Sequence, residues 1–346
     1  MKKIRWTHDA LRSLIATGIL LLLFLAIAVP LANAQSLPAV RISFSAPSGL
    51  STPAWMAKEL GLFEKYGLNG SIIYIGGGTL PISVLLAGDT EFTMVVGPPA
   101  VLARLNGADS TILATFVNKL TMSFVSLPSI RQPKDLQRKR IGITRFGAAT
   151  DYATRLALKS WGLSPKDVEI VQTGGTGEAY AALKSGLIQA TVFSPPLSTQ
   201  AIHSGMVELL DFSKSDIQFV NNSLVSTTKY VQQKPEVTRD VLRALIEGVW
   251  AFKANRERGI KVLQKYSRVQ DRRVLEETYE FFSRALLDVP TTTEAGLSNI
   301  LETLSETQPK ARTAVAKDFF IPTFIRELEN TGFFKQLASR YPSSPR

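Results

Sequence analysis

Six times along this chain a short run rich in β-branched residues ends in small or hydroxyl residues and passes straight into a helical segment. Residues 40–44 lead to the loop 45–52 and a helix with Pro53 in its first turn and Thr52 as its expected cap. Residues 71–75 lead to Gly76-Gly77-Gly78-Thr79, and residues 92–96 to Gly97-Pro98-Pro99. After a gap the pattern restarts. Residues 141–144 lead to Arg145-Phe146-Gly147-Ala148-Ala149, residues 168–172 to Thr173-Gly174-Gly175-Thr176-Gly177, and residues 191–193 to Ser194-Pro195-Pro196. Strands alternating with helices over short connections predict parallel, doubly wound α/β sheets, and ligands of such sheets lie beyond the carboxyl ends of the strands.

The gap divides the chain. Residues 111–117 and 122–127 read as strands with no helix between them, which carries the chain into a second lobe. Residues 224–226 read as a short return strand. Helices are then expected over 235–253, 257–266, 271–287, 293–305 and 322–330, with a frayed Pro/Ser-rich tail over 341–346. The stretch 141–152 stands out among the six turns. Thr150 and Asp151 sit where helix caps belong, the free amides of a helix start attract an anion, and Arg145 adds a full positive charge beside them.

The first 34 of the 346 residues belong to neither lobe. Lys2, Lys3, Arg5 and Arg12 form a positive region, residues 14–29 are uncharged and almost wholly apolar, and Ala32-Asn33-Ala34 is a small-x-small cleavage site. This is the pattern of a secretory signal, cleaved after Ala34. An uncleaved anchor is the alternative, since the apolar run is nearly long enough to span a membrane. The chain has no cysteine, so disulfides, cysteine metal sites and a lipoprotein anchor are excluded. Of the two histidines His8 lies in the leader, which leaves His203 as the one on which any imidazole chemistry would have to rest. The formal net charge is +11, and the leader would take three of it away, leaving +8. The basic residues are spread out with no aromatic interleaving, so a field that attracts anionic solutes is the simpler reading than nucleic-acid binding. Gly76-Gly77-Gly78 is followed by no Gly-Lys-Ser/Thr, so it is not a nucleotide loop.

Over roughly residues 38–335 the sequence resembles the substrate-binding proteins of ABC importers. The group is that of nitrate, sulfonate (aliphatic-sulfonate), taurine and thiamine-precursor binding, with the type II periplasmic-binding fold. The resemblance rests on Ala57-Lys58-Glu59-Leu60-Gly61-Leu62-Phe63-Glu64-Lys65-Tyr66-Gly67-Leu68 and on the Gly97 turn after Met94-Val95-Val96. It rests also on Pro133-Lys134-Asp135-Leu136 through Lys139-Arg140-Ile141-Gly142-Ile143. Arg138 stands where that family's turn usually has glycine, and Gln189 where an aspartate usually precedes Ala190. The resemblance implies two α/β lobes joined by two hinge strands, with lobe one over residues 37–117 and 227–346 and lobe two over 118–226. It implies reversible capture of a small solute and delivery to a membrane-embedded permease, without chemistry, cofactor, metal or nucleic acid, by a periplasmic monomer. An enzyme like the thiamine-pyrimidine synthases that the family also resembles is the rival reading. It needs its own histidine and a cysteine-rich iron motif, and zero cysteines with the lone His203 argue against it. A receptor for a sensor system is a third.

The expected ligand contacts are Ser48, Thr52, Gly78, Thr79, Gly97 and Pro98 from lobe one, and Arg145, Gly147, Thr150, Thr173 and Ser194 from lobe two. Hydroxyls and helix-start amides are neutral donors that hold an oxyanion without burying an unpaired charge. Arg145 is the expected charge partner of a carboxylate or sulfonate. Trp55, Phe146 and Phe193 lie near strand ends, where they form either lobe core or an apolar wall for an organic ligand body.

Overall fold

The computed structural model describes residues 36–342, so the expected leader and its cleavage site lie outside the described residues. In chain order the described strands are β1 (Ala39–Phe44), β2 (Asn69–Tyr74), β3 (Phe92–Val95), β4 (Thr111–Thr115), β5 (Ser123–Ser126), β6 (Arg140–Ile143), β7 (Glu169–Gln172), β8 (Ala190–Phe193), β9 (Val207–Asp211) and β10 (Ser223–Ser226). They form two five-stranded sheets, ordered β2-β1-β3-β10-β4 and β7-β6-β8-β5-β9. Each of the six expected turns leads to a helix. In the first sheet these are α1 (Thr52–Glu59) with α2 (Leu62–Lys65), α3 (Leu80–Ala87) and α4 (Gly97–Leu105). In the second they are α5 (Ala149–Ser160), α6 (Thr176–Lys184) and α7 (Leu197–His203). No described helix is long and apolar enough to cross a membrane.

The sheets are mixed, not wholly parallel. β10 runs antiparallel between β3 and β4, and β5 antiparallel between β8 and β9. Both are strands by which the chain arrives from the other sheet, so neither is constrained to run parallel by a helical crossover. The two crossings are themselves paired. Phe116 N–H donates to the Asn222 carbonyl (2.6 Å), Asn221 N–H to that of Val117 (3.0 Å) and Phe219 N–H to that of Asn118 (2.8 Å). The Asn221 amide also donates to the Lys119 carbonyl (2.8 Å) and the Thr121 hydroxyl (2.9 Å), which ties the crossings side to side.

The chain ends in helices α8 (Thr228–Gln233), α9 (Pro235–Ala254), α10 (Arg256–Ser267), α11 (Arg272–Ala285), α12 (Glu294–Leu304), α13 (Thr323–Asn330) and α14 (Phe333–Arg340). The apolar face of α9 packs on α1 and α2, and the fully buried Phe282 of α11 closes over the loop after β1. A side chain on Gly49 would start 2.0 Å from the Phe282 ring, so only glycine lets α11 lie there. Tyr341, the first residue of the expected frayed tail, is anchored; residues 343–346 of that tail lie outside the described residues. Lys65, Tyr66, Arg340 and the Tyr341 hydroxyl all converge on the buried Glu247 carboxylate of α9.

Two departures from the resembled family have visible consequences. Arg138 takes a left-handed backbone conformation (φ 56°), the one glycine adopts freely, at a cost of about 1 kcal/mol. Gln189 accepts from the Arg140 N–H (3.0 Å) and donates to the Gly186 carbonyl (2.9 Å), tying β8 to β6 through neutral groups.

Candidate functional site

The carboxyl ends of strands from both sheets face one cleft holding about 590 Å³ of empty space. The first sheet contributes Ser45, Ala46, Pro47, Ser48 and Leu50 after β1, Gly77 and Gly78 after β2, and Val96 after β3. The second contributes Thr144, Ala148, Ala149 and Thr150 after β6, Thr176 after β7, and Val192, Phe193, Ser194 and Leu197 around the end of β8; Met122, from the first crossing, closes the lining. No lining residue is ionisable. Polarity comes from hydroxyls and backbone, and the hydroxyls of Ser48, Thr176 and Ser194 are buried with no hydrogen-bond partner in the protein. The starts of α5, α6 and α7 meet here, so their positive dipole ends favour a negative group.

Local chemistry shapes the α5 end. Thr150 does not cap the helix; the N-cap position is Ala148, and Asp151 lies in the first turn. The Thr150 hydroxyl accepts from the Thr144 N–H (2.9 Å) and bonds the Thr144 hydroxyl (2.9 Å), while Asp151 accepts from the Gly147 N–H (2.9 Å) and pairs with Arg155 (2.8 Å). The loop is thereby drawn into a tight hook that presents Ala148, Ala149 and Thr150 to the cleft.

The two sheets' loops touch across the cleft. Gly49 N–H donates to the Pro195 carbonyl (3.3 Å). Gly77, at φ 83°, lies under the Arg145 side chain: a Cβ there would stand 2.7 Å from Arg145 Nε and 2.8 Å from the Gly174 carbonyl oxygen. Arg145 therefore lies over the cleft's edge rather than in its lining, and its Nε is buried without a partner among the described residues.

Of the residues expected from sequence, Ser48, Gly78, Thr150, Phe193 and Ser194 line the cleft. The others are placed elsewhere. Thr52 is fully buried as the first residue of α1, whose cap position is Ser51. Thr79 precedes α3 and packs near Gly147, and Gly97 donates its N–H to the Val220 carbonyl (2.8 Å). Pro98, Phe146 and Gly147 border a neighbouring surface groove, with Phe146 50% exposed. Thr173 is used structurally, donating to the Ile143 carbonyl (3.0 Å). The hydroxyl that reaches the cleft from this turn is Thr176, three residues on. Trp55 belongs to the core, stacked on Tyr266 at 5.0 Å, which leaves Phe193 as the one aromatic of the three in the wall. His203 ends α7 with Nε2 3.1 Å from Glu277, away from the cleft. Among the described residues no group of His, Asp and Glu side chains is arranged to hold a metal ion.

Comparison with known proteins agrees with this architecture. A protein of Brucella abortus (strain 2308), named there as a candidate binding protein, is 26% identical over 243 residues, which span 69% of this chain and 74% of that one. Among solved structures, the alkanesulfonate-binding protein SsuA from Xanthomonas axonopodis pv. citri, bound to MOPS, superimposes with a TM-score of 0.71 at 17% identity, covering 84% of this chain and 100% of that one. The periplasmic nitrate-binding protein NrtA from Synechocystis PCC 6803 gives 0.70 at 16% identity, covering 90% and 93%. The desulfurization enzyme DSZB shares the fold as well, with a TM-score of 0.60 at 16% identity over 85% of this chain and 99% of its own. These structural likenesses establish the periplasmic-binding-protein fold. The sequence itself matches the family described as NMT1/THI5 like across residues 50–258, more than half of its length, and the chain belongs to that family.

Proposed function

We propose that the protein captures a small anionic organic solute, of sulfonate or carboxylate type, in the cleft between its sheets and delivers it to the permease of an ABC importer. The observation that carries this reading is the cleft lining itself. Three buried hydroxyls without protein partners and several helix starts supply neutral donors to an oxyanion, and Leu50, Val96, Met122, Phe193 and Leu197 supply cover for an apolar body. The sulfonate and nitrate receptors that share the fold support an anionic ligand, and the sulfonate receptor an organic one. The expected lobe two, residues 118–226, is one strand too long, since β10 (Ser223–Ser226) pairs with β3 and β4 in the first sheet. In this reading residues 37–117 with 223–346, and residues 118–222, are two lobes that open about the paired crossings. The chain acts as a monomer in the periplasm after removal of its leader. Ser48, Gly78, Thr150, Thr176, Phe193 and Ser194 contact the solute, and Arg145 closes over it from the edge.

A thermal-shift screen of the purified protein against sulfonates, aromatic and aliphatic carboxylates, nitrate, bicarbonate and pyrimidines tests it. A ligand at a hundred times its Kd adds about 2.7 kcal/mol to the folded form. The expected outcome is a sulfonate or carboxylate hit recovered unchanged after prolonged incubation. A silent screen refutes solute capture, and conversion of the hit to a product favours the enzymatic reading that the desulfurization enzyme's fold invites.

A further inference from the structure

We propose that a second concavity, sharing no residue with the cleft, is a binding site for a phosphate monoester. It lies where α2 and α9 meet the C-terminal helices, has about 610 Å³ of empty space, and is lined by Lys65, Tyr66, Arg243, Phe333, Gln336 and Arg340, with Thr331 and Leu337. Three of these are cations and none is a carboxylate.

The acids nearby, Glu247 and Asp240, leave one of the three positive charges uncancelled. Glu247 sits beneath, 1% exposed, and takes Lys65 and Arg340 together, so one negative charge faces two positive ones. Its two oxygens already accept from Lys65, Arg340, Tyr66 and Tyr341. A carboxylate has about four acceptor positions, so Glu247 has none to spare and Arg340 keeps its other N–H donors. Arg243 stands one turn before Glu247 on the same face of α9 and is paired through Nη1 alone, to Asp240 at 2.8 Å. Two guanidinium forks and an ammonium thus border one hollow with donors left over, the donor set that suits a multiply charged phosphate. The Tyr66 and Phe333 rings, edge to face at 6.3 Å, form an apolar side that weakens local screening. The same rings give an organic body an apolar surface to cover, which favours an ester over a bare oxyanion. Such a group comes either from a soluble metabolite or from a phospholipid headgroup.

Calorimetric titration of the purified protein with glycerol 3-phosphate at fixed ionic strength, together with flotation on phosphatidylcholine vesicles with and without phosphatidic acid, separates the two sources. Saturable binding of the soluble ester, or flotation only with phosphatidic acid, supports the site and names its source. Arg243→Gln is expected to weaken that binding about tenfold. Its melting temperature without ligand should change by no more than about a degree, since the one ion pair of Arg243 among the described residues is the short-range pair with Asp240. Thr176→Val, in the cleft, is expected to leave the binding unchanged. Absence of binding to either probe up to about 10 mM overturns the proposal. So does equal binding by Arg243→Gln, and so does loss of binding in Thr176→Val, which would put the phosphate in the cleft.

Discussion

Replacing Glu247 by glutamine removes one negative charge from a point where two cations and two phenols converge. Burial alone pushes this carboxyl's pKa up. Hydrogen bonds from Lys65, Tyr66, Tyr341 and Arg340 more than reverse that and bring it from 4.5 to about 2. A difference of ~2.5 units at ~1.36 kcal/mol per unit corresponds to about 3 kcal/mol in favour of the folded, ionised form. Lys65 and Arg340 are each more than a third exposed, so water re-solvates them once the carboxylate is gone. About 2 kcal/mol of that stability should therefore be lost, or roughly 4 °C in melting temperature for a chain of this length. The sign with pH follows from the depressed folded pKa. The contribution is complete above pH 4.5, the unfolded value, and drains away as pH falls toward 2. Thermal unfolding of wild type and Glu247→Gln followed by circular dichroism from pH 7 to pH 3 should show a gap that narrows on the acid side. A variant that melts with wild type at pH 7, or a gap that stays constant with pH, refutes the electrostatic account of how the C-terminal helices are held.

Gly77→Val is expected to weaken solute binding ten- to a hundredfold, because overpacking of about 1–3 kcal/mol falls on the closed arrangement, where the Gly174 carbonyl stands 2.8 Å from the new Cβ. Affinity within threefold of wild type would show that these loops do not set closure. Ser194→Ala is expected to cost about tenfold in affinity while leaving the apo melting point unchanged or slightly raised, since its buried hydroxyl has no protein partner to lose; an apo protein destabilised by more than a few degrees would assign Ser194 to the fold instead. Arg138→Gly relieves a left-handed residue and is expected to add about 0.5–1 kcal/mol, read as a shift in the denaturation midpoint with no change in binding.

The six strand-to-helix turns were readable because glycine, proline and hydroxyl residues mark strand ends with little ambiguity, and all six lead into helices. The direction of β5 and β10 was not. Ser123–Ser126 and Ser223–Ser226 are short and buried on every residue, so their patterns carry no orientation, and only the paired crossings decide it. β9 escaped notice because Val-Glu-Leu-Leu-Asp suits a helix as well as an edge strand, and only pairing with β5 selects the strand. At the site, sequence favoured hydroxyls at the first position after a strand. Thr173 occupies such a position, and the strand end beside it consumes its hydroxyl. Thr176 begins the helix and keeps its hydroxyl unpartnered. In the α5 turn, Asp151 sits where a cap belongs by sequence, but the backbone turns at Ala148, so its carboxylate accepts from the Gly147 N–H and pairs with Arg155. A composition of small residues gives no way to foresee such one-turn offsets.

The unpartnered hydroxyls suggest why closure should depend on solute. When the loops are apart, Ser48, Thr176 and Ser194 hydrogen-bond to water; bringing the loops together as here buries all three without a protein acceptor. A buried hydroxyl left without an acceptor costs about 1–3 kcal/mol, to be set against the modest gain of the Gly49–Pro195 bond and the Arg145–Gly77 contact. An oxyanion supplies acceptors to all three hydroxyls at once and returns that cost as binding energy. A cation in the cleft would remove this dependence, because donors would be gathered around a charge that attracts the other jaw by itself. In the proposed reading the neutral lining, with Arg145 held at the edge, would therefore do two things: bind the anion through neutral donors, and make closure depend on it.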